Sequence, residues 1–101
     1  MAYKLSISEK ADYDVDSIVH HIAVELANPQ AASPLLDRLE ACYDRLEEKP
    51  MLYALTLHPL FHALGIRKVP IGGYGVFYQV ENEVVHIIRV LSDREAIEGK
   101  L

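Results

Sequence analysis

The apolar positions along this chain change period several times, and each change marks a new element. Tyr3-Lys4-Leu5-Ser6-Ile7 alternates with period two, which predicts a short strand. Ala11, Val15, Ile18, Ile22 and Leu26 then recur at spacings of three and four, which predicts one amphipathic helix from about Glu9 to Ala27. Ser8 stands where a side chain caps that helix. Glu9, Asp12 and Asp14 fall in or near its first turns, where the helix dipole favours acids. Asn28-Pro29 stops it. A second stripe, Leu35, Leu39, Cys42 and Leu46, predicts a second helix that Lys49-Pro50 ends. Its start has two readings. Asn28 can cap it with Pro29 at the first helical position, but Pro34 then sits inside the helix, where it removes a hydrogen bond and crowds the preceding turn. Alternatively Ser33 is the cap and Pro34 comes first. The short link between the stripes predicts an antiparallel helical hairpin.

From Met51 to Leu64 the chain is apolar without a period and is interrupted by Pro59, which predicts an irregular connector with a short helical turn. Period two then returns. Strands are expected near Ile66–Ile71, Tyr74–Glu81 and Val84–Leu91, with turns at Gly72-Gly73 and Asn82. The last run is apolar on both parities except at His86 and Arg89, the pattern of a central strand or one covered on both faces. Ser92 to Leu101 fits one helical turn. The expected fold is α+β, in the order β-α-α-β-β-β. The helix hairpin packs on one face of a mostly antiparallel sheet, and the other face is left for solvent or a partner.

Composition narrows this picture. The 101 residues make one domain, 1–101, and half of them are apolar, enough for a core and unlike a disordered chain. No apolar run approaches the ~18 residues that cross a membrane, and the first residues lack the apolar stretch of a signal peptide. Cys42 is the one cysteine, so no internal disulfide forms and a reducing cytoplasm is the expected location. It lies on the second helical stripe and is read as core filling. The net charge of −5 argues against broad affinity for nucleic acid. It is unevenly spread: residues 1–50 carry ten acids and five bases, residues 51–101 five of each, and no acid lies between Lys49 and Val80.

That second half holds the candidate chemistry. Arg67 and Lys68 open the second strand, Arg89 lies in the last, and Arg94 follows it. Strands paired in antiparallel order bring such residues together across a sheet. Converging guanidinium groups suit a phosphate or carboxylate, since each presents a planar fork of donors. Tyr74, Phe77 and Tyr78 interleave with them and could stack on bases. The competing reading makes the aromatics core and pairs Arg67 and Arg94 with Glu81, Glu83, Asp93 or Glu95. His58-x-x-x-His62 has a zinc-like spacing, but Pro59 falls inside it and no third ligand accompanies it. His20 and His21 are adjacent on a helix and are expected to point apart, and Tyr43 and Tyr53 are read as packing. No phosphate-cradling glycine loop is present, and neither metal nor cofactor is expected.

Several segments in order carry a resemblance: Ala11-Asp12, Ile18 to Ala23, Asn28-Pro29-Gln30-Ala31-Ala32, Leu46 with Pro50-Met51 and Tyr53, Gly65-x-Arg67, Tyr74-x-Val76-Phe77-Tyr78-x-Val80 and Val85-His86-Ile87-Ile88-Arg89-Val90. In this the chain resembles the RelE/ParE superfamily of bacterial type II toxin–antitoxin toxins, over essentially its whole length. The resemblance implies the same β-α-α-β-β-β fold, an antitoxin partner and growth-inhibiting activity. RelE-like members cut mRNA on the ribosome without a metal, using basic residues to hold the reacting phosphate. ParE-like members block DNA gyrase and cut nothing. The Val76–Tyr78 and His86–Val90 segments favour the RelE-like role, with Arg67, Arg89 and Arg94 as catalytic contacts and Lys68, Tyr74, Phe77 and Tyr78 as binding residues. Gyrase inhibition and a non-toxic antitoxin-binding module are the alternatives. The chain departs from the nuclease pattern in having Gly75 where an arginine commonly follows the tyrosine, and Ser92-Asp93 where a histidine or tyrosine can stand.

Overall fold

The computed structural model describes residues 3–94. Strand β1 (Lys4–Ile7) leads into helix α1 (Glu9–His20), which is extended by a π-helical turn at His21–Glu25. Helix α2 (Pro29–Glu48) returns antiparallel and gives way to a 3₁₀ turn at Pro50–Leu52 and the short helix α3 (Pro59–Ala63). Strands β2 (Arg67–Ile71), β3 (Tyr74–Glu81) and β4 (Val84–Ser92) complete a four-stranded sheet in the order β1-β4-β3-β2. β1 runs parallel to β4 and the other pairs are antiparallel. The expected α+β arrangement is therefore the observed one. The predicted turn over Ser92–Leu101 mostly falls outside the described residues.

The helical stripes build the main core. Leu35, Leu39, Cys42 and Leu46 of α2 pack with Ala11 and Ile22 onto Val69, Ile71, Val76, Tyr78, Val85, Ile87 and Val90. The Tyr78 hydroxyl, at the bottom of this layer, donates to the Pro50 carbonyl at 2.6 Å. Ser8 caps α1 as expected, its Oγ accepting from Ala11 N at 3.0 Å, and the same hydroxyl donates to the Ile88 carbonyl at 2.8 Å. One side chain thus starts the helix and fastens it to β4.

Three local features depart from the sequence reading. The single helix to Ala27 is interrupted: its last turn is wound as π-helix, and Leu26 swings out to 58% exposure instead of extending the buried stripe. Of the two starts considered for α2, Asn28-Pro29 is the real one, and Pro34 is accommodated inside a continuous helix on its exposed side. In β4, Phe77 faces Arg89 while Tyr78 faces Ile87, so Ile88 is an extra, bulged residue. The bulge switches parity. Val85 and Ile87 face the helices before it and Val90 does so after it, while Leu91 packs on the opposite face. That switch, together with cover on both faces, explains the unbroken apolar run.

The outer face is not left bare. Phe61 of α3, Ile66, Phe77 and Leu91 form a second small core there, with Ile88 against it. The connector reaches this face because Thr56 N donates to the Ile66 carbonyl and Lys68 N to the Ala54 carbonyl, continuing the sheet past β2.

Leu46 has no solvent exposure, so Leu46→Ala is expected to lower the unfolding free energy by about 2–5 kcal/mol. Ser8→Ala loses a cap and a tie to β4 and is expected to cost about 1–2 kcal/mol. Urea denaturation of the two variants measures both; a Leu46→Ala protein as stable as the parent would show that the α2 stripe is not the core.

Candidate functional site

β1 stops at Ile7, opposite Ile87, and leaves the rest of the β4 edge without a strand beside it. α1 runs along that edge instead. Asp14 is 8% exposed, and its carboxylate accepts from three donors: Arg89 Nε and Nη2, both at 2.7 Å, and the Val90 backbone N–H at 3.0 Å. A planar guanidinium meeting both oxygens of a carboxylate is among the strongest ion pairs, and here it is mostly out of water. Asp14 thus acts as the missing strand: it satisfies an edge donor and neutralises the arginine next to it. Its sequence signal was ambiguous, since an acid near a helix start is already explained by the dipole.

The expected convergence of guanidinium groups is corrected by this geometry. Arg89 turns to α1 and Asp14. Arg67, on β2 and two strands away from β4, donates to the Tyr53 carbonyl at 2.6 Å. Arg94 is exposed at the turn after β4. The aromatics divide as well. Tyr78 is fully buried in the main core, and burial pushes its hydroxyl up to about 12. Phe77 is buried in the outer core, beneath the Lys68 ammonium at 5.7 Å from the ring centre. Tyr74 remains half-exposed.

What the fold does gather lies in two open clefts that meet at Ser92 and Asp93. One, of about 670 Å³, lies between the π-helical turn and the end of β4 and brings Tyr74, Arg94 and His21 together. The other, of about 420 Å³, lies on the outer face and brings Lys68 and Phe77 together with Thr56 and His58. Lys68 Nζ stands 3.5 Å from the Asp93 carboxylate. Gly75 is covered by the Lys68 stem, and a Cβ there would lie 2.6 Å from Lys68 Cε. A side chain at position 75 would displace the flexible end of Lys68 on the neighbouring strand.

The histidines serve local structure. His58 caps α3, its Nδ1 accepting from Leu60 N at 3.2 Å, and His62 Nδ1 lies 3.2 Å from the Thr56 carbonyl. No group of metal-ligating side chains is assembled among the described residues. His20 and His21 do not point apart as expected. The π-helical turn brings both toward Glu25, His21 at 2.6 Å and His20 at 4.0 Å, and the His21 contact holds the Glu25 carboxyl below its usual range. His86 lies 3.8 Å from the Glu81 carboxylate.

A helical hairpin packed on a four-stranded sheet of this order defines an α+β fold. The chain belongs to the ParE toxin family of type II toxin–antitoxin systems, whose model matches residues 5–97. The structure is similar to the chromosomal ParDE toxin–antitoxin system of P. aeruginosa, with a TM-score of 0.72 and 20% identity over 90% of this chain and 96% of that one. It is also similar to the RelBE2 toxin–antitoxin complex of Mycobacterium tuberculosis, with a TM-score of 0.62 and 17% identity over 91% and 99%. No curated protein matches the sequence closely. Among the described residues no helix is long and apolar enough to cross a membrane.

Asp14→Ala leaves a largely buried guanidinium and an edge N–H without their acceptor, so a loss of about 3–5 kcal/mol in stability is expected by urea denaturation. An unchanged midpoint would show that the pair does not hold α1 on β4. Cys42 is 3% exposed, and burial pushes its thiol up to about 11. At pH 8 its reaction with a disulfide reagent is expected to run at least ~100-fold slower than that of a free thiol until urea unfolds the chain; rapid labelling of the native protein would contradict the core assignment.

Proposed function

We propose that this chain is a type II toxin, neutralised by an antitoxin, that acts by docking on a protein target, DNA gyrase, and does not itself cut RNA. The observation that carries this reading is the Arg89–Asp14 pair. In-line cleavage of RNA requires cations that wait for the developing charge on phosphorus. Arg89 is instead committed to a carboxylate, with both oxygens engaged. Two of the three aromatics expected to stack on bases are core residues, which removes them from contact with a strand of RNA. The acidic helical layer also repels ribosomal RNA. The family match falls on the ParE side of the superfamily, which supports the same choice, and the antitoxin partner is supported by the similarity to proteins solved in toxin–antitoxin complexes.

RNA cleavage remains the second reading because of one cleft. Tyr74, Arg94 and His21 line a common space of about 670 Å³, and a cation, a hydroxyl and an imidazole are groups that proton transfer at a phosphate uses.

Two assays of the purified chain separate these readings. Gyrase supercoiling is expected to be inhibited and to recover when antitoxin is added, while mRNA on programmed ribosomes stays intact. Cleavage of ribosome-bound mRNA that falls about 100-fold or more in Arg94→Ala would overturn the docking reading. Normal growth of a bacterium induced to make the chain alone would leave only an antitoxin-binding module.

A further inference from the structure

We infer that the open edge of β1 is a pairing surface for a second copy of this chain, which lies antiparallel to it about Ser6 and joins the two sheets into one.

Of the two edges of the sheet, β1 alone keeps free backbone donors among the described residues. At the β2 edge the outward N–H of Ile66 goes to the Phe61 carbonyl and that of Lys68 to the Ala54 carbonyl. The next outward position is Pro70, which has no N–H to give. β1 differs. Lys4 N donates to the Glu83 carbonyl and Ser8 N to the Ile87 carbonyl, so the backbone of Lys4, Ser6 and Ser8 faces β4. Leu5 and Ile7 therefore face away from the sheet, and their N–H groups meet no acceptor among the described residues. Tyr3, on the same side, gives its N–H to the Glu47 carbonyl at 3.1 Å. The free edge is thus bounded by the end of α2 at Tyr3 and by the start of α1 past Ile7. An open edge with neither proline nor bulge accepts another strand.

The side chains select the occupant. An antiparallel copy centred on Ser6 sets Leu5 against Ile7 of the second copy, and Ile7 against its Leu5, with both backbone bonds exchanged at each pair. Leu5 already packs on the main core and Ile7 is 38% exposed, so the pairing extends that apolar layer over a side chain now in water. Ser6 meets Ser6 on the opposite face, where it is exposed and small enough for close approach. Lys4 falls opposite Ser8 and beside Glu9. Neither Lys4 nor Glu9 makes an ion pair among the described residues, so each finds an opposite charge on the other copy, and symmetry repeats the contact. A strand of another protein could use the same backbone groups. This edge, however, matches its own sequence: apolar against apolar, hydroxyl against hydroxyl, cation beside acid. The clefts beside Ser92 and Asp93 lie at the other end of β4 and stay open in the pair.

The test combines sedimentation equilibrium of the full chain with cross-linking. The parent is expected to associate reversibly. Ser6→Lys sets like charges opposite one another and is expected to weaken association at least ~10-fold. Lys4→Glu and Glu9→Lys are each expected to weaken it about threefold to tenfold, and the double exchange to recover it. Ser6→Cys places the two Cα atoms ~4.5 Å apart, within disulfide reach, so mild oxidation is expected to give a covalent dimer. Lys4→Cys, with thiols more than ~10 Å apart, is expected to give none. Cys42 is buried and does not compete. Residues 4, 6 and 9 are exposed, so these variants should melt like the parent. A parent that stays monomeric up to about 0.1 mM would overturn the proposal and leave the edge to a different protein. Association that Ser6→Lys leaves unchanged would also overturn it, as would cross-linking as fast in Lys4→Cys as in Ser6→Cys.

Discussion

A carboxylate in place of a strand holds this molecule together. β1 pairs with only part of β4, and a bare sheet edge exposes backbone donors that must find acceptors when they are buried. Asp14 supplies one, and by binding Arg89 with both oxygens it also removes the charge that its own burial would leave uncompensated. A buried ion pair adds little net stability compared with apolar packing. What it adds here is geometry, because only one placement of α1 lets the two oxygens reach Nε, Nη2 and the Val90 N–H together. Ser8 repeats the device at the start of α1, capping the helix while bonding β4.

With α1 fixed, α2 has one place to lie, and the two faces of the sheet acquire different characters. The helical face is packed tightly and presents acids to solvent. The outer face carries a small core under α3 and clefts on either side of His58, one of which holds Lys68 beside Asp93. The helical face holds the main core and most of the acids. The arginine that most resembles a catalytic group, Arg89, is part of the scaffold.

The elements were legible in the sequence because each rests on local rules. Leu35, Leu39, Cys42 and Leu46 mark one side of a helix wherever they occur, and Gly72-Gly73 and Asn82 fit turns that need positive φ. Features that depend on distant partners were not legible. Ile88 looks like any strand residue until the register with Phe77 and Tyr78 shows that it is supernumerary. The π-helical turn leaves the apolar spacing unchanged up to Ile22, so nothing in the pattern announced that Leu26 would be exposed or that Glu25 would meet two histidines. Lys68 and Phe77 do share a cleft, which the alternation of β2 and β3 made foreseeable, but their neighbours Thr56, His58 and Asp93 come from segments without a regular period.

The sequence by itself determined the order of elements, the faces of the two helices, the single core cysteine and the separation of an acidic first half from a charge-balanced second half. These follow from side-chain spacing and composition, which act over a few residues. The tertiary structure alone decided the roles of the charged groups. Whether an arginine waits for a ligand or holds a helix depends on what stands within about 3 Å of it. For Arg89 that is an aspartate 75 residues away in the chain, a distance over which no local pattern carries information.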